Sequence, residues 1–264
     1  NYNWSLRRLQ ETDYELARLL LVKHANNSNV WAPVPTHFNG LVVNPKETFF
    51  EQIDTSTEHI IIRRGVNADG VVLHSPMDVF LVTPADCATL VISYDDEHGQ
   101  KKIIAGHASR DSLINMARFR LNKISRDYEG LVESAFTHIP EETRKLARAW
   151  VGLSISPGPH FAHDVNSKDC PWNGLLVHYI REKYGDMCFK DDGVDFNKGW
   201  IDQKQLVVSQ LLLGGIEKEN IEIDDVCTYS DTDKNKEPLW YSNVRNTQEK
   251  NEPYRNFVLV TKNF

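Results

Sequence analysis

The chain has little of what marks several large classes of protein. No apolar stretch approaches the roughly 18 residues that a membrane-spanning helix needs, and the longest, residues 16–22, is interrupted by Arg18. There is no long cluster of Lys and Arg, and the formal net charge is −7, so nothing favours binding to nucleic acid. No signal-peptide pattern is visible. These features predict a cytoplasmic protein that binds neither membranes nor nucleic acids.

Cysteine is also scarce. The four cysteines are spread widely and form no CxxC pair; they are Cys87, Cys170, Cys188 and Cys227. This pattern favours free thiols in a reducing compartment over a disulfide scaffold. No repeat, low-complexity tract or convincing linker divides the 264 residues, and the apolar fraction of 41% is ordinary for a globular protein. We therefore expect a single domain over residues 1–264.

The stretch from residue 79 to residue 124 organises the rest of the chain. Apolar, β-rich runs at residues 80–82, 90–92 and 102–105 predict strands, and the charged, Gly-containing residues 95–100 predict a turn. Cys87 lies between the first two runs and His107 follows the third. Ser109 can cap a helix with apolar residues at helical spacing up to Ile124. If the neighbouring strands pair, Cys87 and His107 come together near a sheet edge, beside a helix N-terminus that favours an anion.

The remaining pattern alternates helices and strands, which predicts a mixed α/β chain. We predict helices at residues 12–23, 140–148, 174–183 and 202–213. We predict strands at residues 59–62, 71–73, 150–155, 221–228, 239–242 and 257–260, and a loop over residues 46–57.

Several short motifs, taken in order, resemble the laccase-domain family. Its members carry the older name polyphenol oxidase, are also called peptidoglycan editing factors, and are better described as zinc-dependent purine nucleoside phosphorylases. The matching segments are Ala68-Asp69-Gly70, Ala85-Asp86-Cys87, His107-Ala108, Gly152 to Pro157, Cys227-Thr228, Tyr241-Ser242 with Arg245, and Tyr254-Arg255. The chain departs from the family after His107-Ala108, where Ser109-Arg110-Asp111 replaces a Gly-Trp-Arg-Gly segment.

The resemblance implies a fold and a metal site. The fold would be α+β, with mixed β-sheets in an α/β/β/α layered sandwich. Zinc would be the cofactor, held by one cysteine and two histidines, which carry over onto Cys87, His107 and, through Thr36 to Gly40, onto His37. Zinc suits such N/S ligands, and three protein ligands leave one position open. His59 and His74 are alternatives to His37, and Cys87 and His107 could instead be structural residues.

Further residues are candidates for binding and catalysis. Asp86 precedes the thiol, so in a strand its side chain points to the opposite face, where it can orient a ligand or pair with a cation. The resemblance makes it a third candidate catalytic residue beside Cys87 and His107. Arg110 lies in the first turn after His107, where a phosphate could bind. Arg245 and Arg255 match late family arginines that could hold phosphate or ribose. A solvated surface arginine is the alternative for Arg110, and surface salt bridges are the alternative for Arg245 and Arg255.

The predicted function is that of a zinc-dependent purine nucleoside phosphorylase, with adenosine deamination as a second activity. Its partners would be small molecules, a purine nucleoside and phosphate. Two alternatives stay open: a metal-free thiol hydrolase that uses Cys87 and His107 as a dyad, and a catalytically inactive binding relative. Copper-based phenol oxidation does not fit, because one Cys and two or three His supply too few ligands for several copper centres.

Overall fold

The computed structural model of the chain describes residues 23–24, 28–34, 39–54, 61–121, 127–158, 163–164, 168, 170–195, 198–250 and 255–262. Its strands form two larger sheets and one small sheet, and helices pack on one of the larger sheets. The fold is therefore α+β, as the resemblance implied. None of the helices in these ranges is long and apolar enough to span a membrane.

A six-stranded sheet lies at the centre of the molecule. Its strands are β2 (Val42–Val43), β5 (Gly70–Leu73), β7 (Ala88–Asp95), β8 (Lys101–Ala108), β9 (Arg148–Gly152) and β13 (Ile221–Ile223), in the spatial order β13-β9-β7-β8-β5-β2. β7 and β8 are antiparallel neighbours joined by a tight turn. The Asp96 carboxylate closes this turn by accepting hydrogen bonds from the backbone amides of His98 and Gln100. The predicted turn and the pairing of its strands are confirmed.

A five-stranded sheet packs against one face of the six-stranded sheet. Its strands are β1 (Asn29–Trp31), β3 (Glu51–Asp54), β4 (Ile61–Arg64), β6 (Asp78–Val82) and β14 (Val258–Thr261), in the order β14-β6-β1-β4-β3. The small sheet contains β10 (His163–Asp164), β11 (Phe189–Asp191) and β12 (Lys198–Ile201), with β12 in the middle.

The helices are short apart from two. They are α1 (Arg110–Leu113), α2 (Ala117–Arg120), α3 (Leu131–Phe136), α4 (Asn173–Tyr184), α5 (Gln203–Leu213) and α6 (Asn243–Glu249). Within the described ranges, 3-10 turns span Glu141–Leu146, Asp186–Cys188 and Lys218–Asn220. The predicted α4 and α5 are confirmed, with Gly185 ending α4 at φ +92° and the Asp202 carboxylate capping α5.

Alternation along the central strands separates two hydrophobic cores. In β5, Val72 belongs to the core beneath the helices, whereas Val71 and Leu73 pack against the five-stranded sheet. In β7, Leu90 and Ile92 face the helices. The described residues therefore form three layers, helices, sheet and sheet. The predicted helix at residues 12–23 lies outside the described residues except at its end.

Several sequence predictions of secondary structure differ from the structure, beginning with the helix after Ser109. The continuous helix after Ser109 is broken, because Ile114 has extended backbone (φ −129°, ψ 140°) and is fully buried. The Glu129 carboxylate accepts a hydrogen bond from the Asn115 amide just beyond this break. The last predicted residues of that helix, including Ile124, lie outside the described residues.

The second error concerns residues 239–242, which are not a strand. Ser242 instead begins α6, since its hydroxyl accepts a hydrogen bond from the Arg245 amide at 3.2 Å. β9 ends at Gly152, before the predicted end, and the next residue, Leu153, has a φ of +45°. The predicted loop at residues 46–57 contains β3, which pairs with β4.

Candidate active site

The register of β7 and β8 brings Cys87 and His107 together. Ala88 pairs with Ala108 and Thr89 pairs with His107, and Cys87 immediately precedes Ala88. Because side chains alternate along a strand, Cys87, Thr89 and His107 lie on the same face of the sheet, toward the five-stranded sheet. The two residues lie where two central strands of the sheet end.

Asp69 extends this row of side chains onto a third strand. It precedes β5, and its backbone carbonyl accepts the His107 amide at 2.7 Å. Its carboxylate is buried, with Oδ1 3.6 Å from Nδ1 of the His107 ring. Oδ2 accepts the Gly40 amide at 2.7 Å. Gly40 is required here, because its φ is +67° and an added Cβ would lie 2.3 Å from the Ser112 carbonyl oxygen.

The imidazole of His107 lies between a sulfur and a carboxylate. Its side chain is only 10% exposed. Burial is the largest influence on its pKa and lowers it, but the negative charge of Cys87 and the polar contacts with Asp69 and Cys87 outweigh burial and raise the pKa to about 10. In the metal-free protein the ring is therefore protonated at neutral pH. The sulfur of Cys87 and the carboxylate of Asp69 therefore both act on the His107 ring.

Thr89 lies directly across the strand pair from His107, and the sequence analysis did not identify it. Its side chain is fully buried. Among the residues that the structure describes, its hydroxyl oxygen has no hydrogen-bond partner. A buried hydroxyl without a partner is costly and uncommon. We therefore include Thr89 among the residues of the candidate site. No sequence motif signals it; only the strand register does.

Asp86 is oriented away from this row, as its position beside Cys87 predicted. Its Oδ1 accepts the Thr228 hydroxyl at 2.8 Å, and its Oδ2 accepts the Val244 amide at 2.9 Å in the first turn of α6. Its backbone carbonyl accepts the Ser154 hydroxyl and the Ile155 amide. These contacts join three separate segments of the chain, and the catalytic role stays a prediction.

Arg245 makes contacts that differ from those predicted. Its guanidinium donates to the backbone carbonyls of Thr228, Tyr229 and Trp240. It thereby holds together the loop that precedes α6. These carbonyl contacts give Arg245 a structural role, and its substrate-binding role stays a prediction.

Arg110 and Arg255 also have protein partners. Nε of Arg110 donates to Asp111 at 2.8 Å, and its guanidinium lies 5.7 Å from the centre of the Trp172 ring. The predicted anion site at the start of this helix loses its basis, because α1 is a single turn and the Ser109 hydroxyl already accepts the Ser112 amide. Arg255 donates to Asn243 at 3.4 Å, and its substrate-binding role stays a prediction.

The third proposed zinc ligand, His37, lies outside the described residues, as does its competitor His59. The other competitor, His74, follows β5, whereas Asp69 precedes it, so roughly 16 Å of extended strand separate them. His74 contacts Asn44 at 2.7 Å through Nε2, and burial followed by the charge of Lys46 lowers its pKa. His74 therefore does not complete the site. Among the described residues, no group of three His, Cys, Asp or Glu side chains is arranged to hold a metal ion.

All four cysteines are free thiols in the structure. Cys227 accepts the Ser156 amide at 3.3 Å through Sγ. Burial is the largest influence on the pKa of this thiol and raises it, but hydrogen bonds from Ser156 and Ser230 outweigh burial and lower it. Cys227 also pairs through a β-bridge with Ser154, beside Asp86.

The comparison with protein families finds one match. Residues 25–250 match the model described as multi-copper polyphenol oxidoreductase laccase. The matched range includes Asp69, Cys87 and His107. No curated protein matches the chain.

Solved structures share the fold at low sequence identity. The hypothetical protein YfiH from Bacillus licheniformis is 14% identical with a TM-score of 0.59, and the match covers 99% of this chain and 85% of that one. A Neisseria meningitidis protein of the DUF152 family is 14% identical with a TM-score of 0.57, covering 94% and 80%. YlmD from Geobacillus stearothermophilus is 13% identical with a TM-score of 0.56, covering 98% and 84%.

Proposed function

Because the chain belongs to the multi-copper polyphenol oxidoreductase laccase family, we propose that it is an enzyme of that family's zinc-dependent purine nucleoside phosphorylase type. The substrates would be a purine nucleoside and phosphate, and adenosine deamination would be a second activity. The observation that carries the proposal is the row of Cys87, His107 and Asp69 on one face of three adjacent strands.

The donor set of this row fits zinc. A thiolate and an imidazole are preferred zinc ligands, and a zinc-bound histidine commonly donates its other ring N–H to a carboxylate. Here Nδ1 of His107 faces Asp69, which leaves Nε2 for the metal. Cys87 and His107 would hold the ion, and we propose His37 as the third protein ligand. When bound, zinc would supply a Lewis acid that polarises an oxygen of the substrate or of water.

The protein residues themselves have separable tasks in this proposal. Asp69 fixes the orientation of the His107 ring from behind and is itself held by the Gly40 amide. Cys87 is less buried than the other members of the row, which leaves its sulfur the most accessible donor. Arg255 remains a candidate to bind phosphate or ribose. The strands fix these positions before any ligand binds, which is the preorganisation that catalysis requires.

Zinc content and phosphorolysis test the proposal together. Purified protein should contain about one zinc per chain and should convert inosine or adenosine to the free base only when phosphate is present. His107→Gln should lose both the metal and the activity, because it removes an imidazole ligand. His98→Gln is the matched control, since His98 is exposed in the turn at the other end of the same hairpin. The proposal would be refuted if the purified protein contained no zinc and the Cys87→Ala variant were as active as the original chain.

A metal-free thiol hydrolase is the second candidate, and the same row favours it. Cys87, His107 and Asp69 have the order of a nucleophile, a base and an orienting carboxylate. The thiolate would attack the carbonyl carbon of an amide, and the imidazolium would protonate the departing amine. Turnover that survives chelation but stops after thiol alkylation would favour this candidate over the first. Loss of turnover on chelation, restored by added zinc, would exclude it.

A further inference from the structure

Part of one face of the six-stranded sheet is left open beside the candidate active site. The residues through which this sheet packs against the five-stranded sheet belong to β2, β5 and β8. Within the described ranges, none of them belongs to β7, β9 or β13. On the same face of those three strands, Val91 and Trp150 are only half-buried and Glu222 is exposed. The open part of the face therefore begins next to β8, the strand that carries His107.

The indole of Trp150 lies on this open face and extends toward the candidate active site. Trp150 and Gly152 are two residues apart in β9, so they share a face of the sheet. A Cβ added to Gly152 would lie 2.1 Å from Cζ2 and 2.2 Å from Cη2 of the Trp150 ring. The six-membered part of the indole therefore lies over Gly152, and only glycine leaves room for it there.

The strand register fixes how far this indole lies from the candidate active site. Gly152 pairs with Thr89 of β7, and Thr89 pairs with His107 of β8. Because adjacent strands lie about 4.8 Å apart, Gly152 and His107 are roughly 10 Å apart across the sheet. Cys87 precedes Thr89 by two residues and lies on the same face. A purine nucleoside can span this distance, with its base on the indole and its ribose toward Cys87 and His107.

Trp150 differs from other tryptophans of the described chain in the surroundings of its ring. Trp31 packs edge to face against Phe50, and Trp172 lies beneath the guanidinium of Arg110. Among the described residues, no aromatic ring and no cation is in contact with the Trp150 indole. An indole is a large apolar surface that favours offset stacking with another planar ring. The half-buried Trp150 therefore has the capacity to stack with a planar aromatic ligand.

We propose that Trp150 is the platform on which the purine base of the substrate stacks, which places the bond between base and ribose beside Cys87 and His107. The choice of a purine rests on the proposed phosphorylase function, whereas the preference for a planar aromatic group follows from the indole. Every base has an aromatic face, so stacking contributes affinity and orientation without selecting one purine over another.

Hypoxanthine, the free base of inosine, tests this platform in the full chain without any turnover. In a titration followed by two-dimensional NMR of the indole N–H groups, one of the six tryptophan signals should shift more than the others, because the ring current of a stacked base acts only over a short distance. That signal should be the one that is absent from the spectrum of Trp150→Phe. No saturable binding of hypoxanthine, or a largest shift at another tryptophan, would overturn the proposal.

Variants measure the contribution of the ring to hypoxanthine binding. Trp150→Leu should weaken binding about 5- to 100-fold, as expected for the loss of one stacked aromatic side chain, whereas Trp150→Phe should keep most of the affinity. Trp200→Leu is the matched control, because Trp200 is also half-buried in a strand but belongs to the small sheet. Denaturant titration verifies that each variant is folded. Unchanged affinity in Trp150→Leu, or an equal loss in Trp200→Leu, would refute the proposal.

Steady-state kinetics separate this inference from the proposed function. In Trp150→Leu the KM for inosine should rise at least about fivefold, while the KM for phosphate and the zinc content stay those of the original chain, because Cys87 and His107 are unchanged. A rise in both KM values, or a loss of zinc, would mean that Trp150 supports the site as a whole and would overturn the proposal. If the original chain binds hypoxanthine on Trp150 but shows no phosphorolysis, the proposed function fails and the stacking platform stands.

Discussion

The dipeptide Ala-Asp occurs twice before a strand of the central sheet, and the two copies do different things. Asp69 precedes β5 and Asp86 is followed by Cys87 and then β7. Both carboxylates are buried, at 1% and 7% exposure of the residue. Asp86 uses both oxygens in hydrogen bonds to Thr228 and Val244. Asp69 uses one oxygen for Gly40, and its other oxygen faces the imidazole of His107.

The difference follows from the position of each residue relative to its strand. Asp69 continues the β5–β8 register one step beyond Gly70 and Gly106, so it lies opposite His107. Asp86 is one residue before Cys87, so its side chain points away from the thiol, toward Thr228 after β13 and Val244 in α6. The same Ala-Asp dipeptide therefore places a carboxylate beside His107 in one strand and joins loops of the chain in the other.

Asp86→Ala should have the largest effect on stability. The substitution removes the carboxylate that accepts hydrogen bonds from the fully buried Thr228 hydroxyl and from the Val244 amide. Both donors lose a hydrogen bond to a charged group. We expect the free energy of unfolding to fall by about 3 kcal/mol, as measured by denaturant titration. The control is Asp95→Ala, at the other end of β7, where the carboxylate is 45% exposed and pairs only with Lys101. If both variants lose the same small amount, Asp86 does not join these segments.

Asp69→Asn should affect the site more than the fold. The amide has the shape of the carboxylate and can still accept the Gly40 amide, but it lacks the charge that faces Nδ1 of His107. Loss of a carboxylate behind a metal-bound histidine typically weakens metal binding about 10- to 100-fold. Zinc competition with a chromogenic chelator measures this, with Asp95→Asn as the exposed control. Unchanged zinc affinity in Asp69→Asn would show that the carboxylate does not act through the ring.

The sequence predicted the parts of this comparison that depend on local pattern. Alternating apolar residues and the turn at residues 95–100 predicted β7 and β8, and their pairing placed Cys87 beside His107. The helix predicted over residues 202–213, closed by glycine, is α5. These features are local, so a single stretch of sequence contains the information.

The sequence did not predict the contacts that join segments far apart along the chain. The partners of Asp86 lie 142 and 158 residues away along the chain. Arg245 matched a family position, but its donors bind backbone carbonyls that no side-chain pattern reveals. The role of Asp69 required the register of three strands. Helix spacing also overestimated the helix after Ser109, because burial of Ile114 in extended form outweighed it.

The smallest expected effect comes from a pair of fully buried threonines, Thr89 and Thr228. Thr89 lies across from His107 and its hydroxyl has no hydrogen-bond partner, whereas the Thr228 hydroxyl donates to Asp86. Thr89→Val should therefore raise the free energy of unfolding of the metal-free protein by about 0.5 kcal/mol, because it replaces an unsatisfied hydroxyl with a methyl group of similar size. Thr228→Val should lower it by about 1 to 2 kcal/mol, since the carboxylate loses a donor. Chemical denaturation of both variants measures the sign of each change in the free energy of unfolding. If the two changes have opposite signs, the Thr89 hydroxyl beside the row of Cys87, His107 and Asp69 does not contribute to the stability of the fold. If both variants lose stability, the Thr89 hydroxyl stabilises the fold as the Thr228 hydroxyl does.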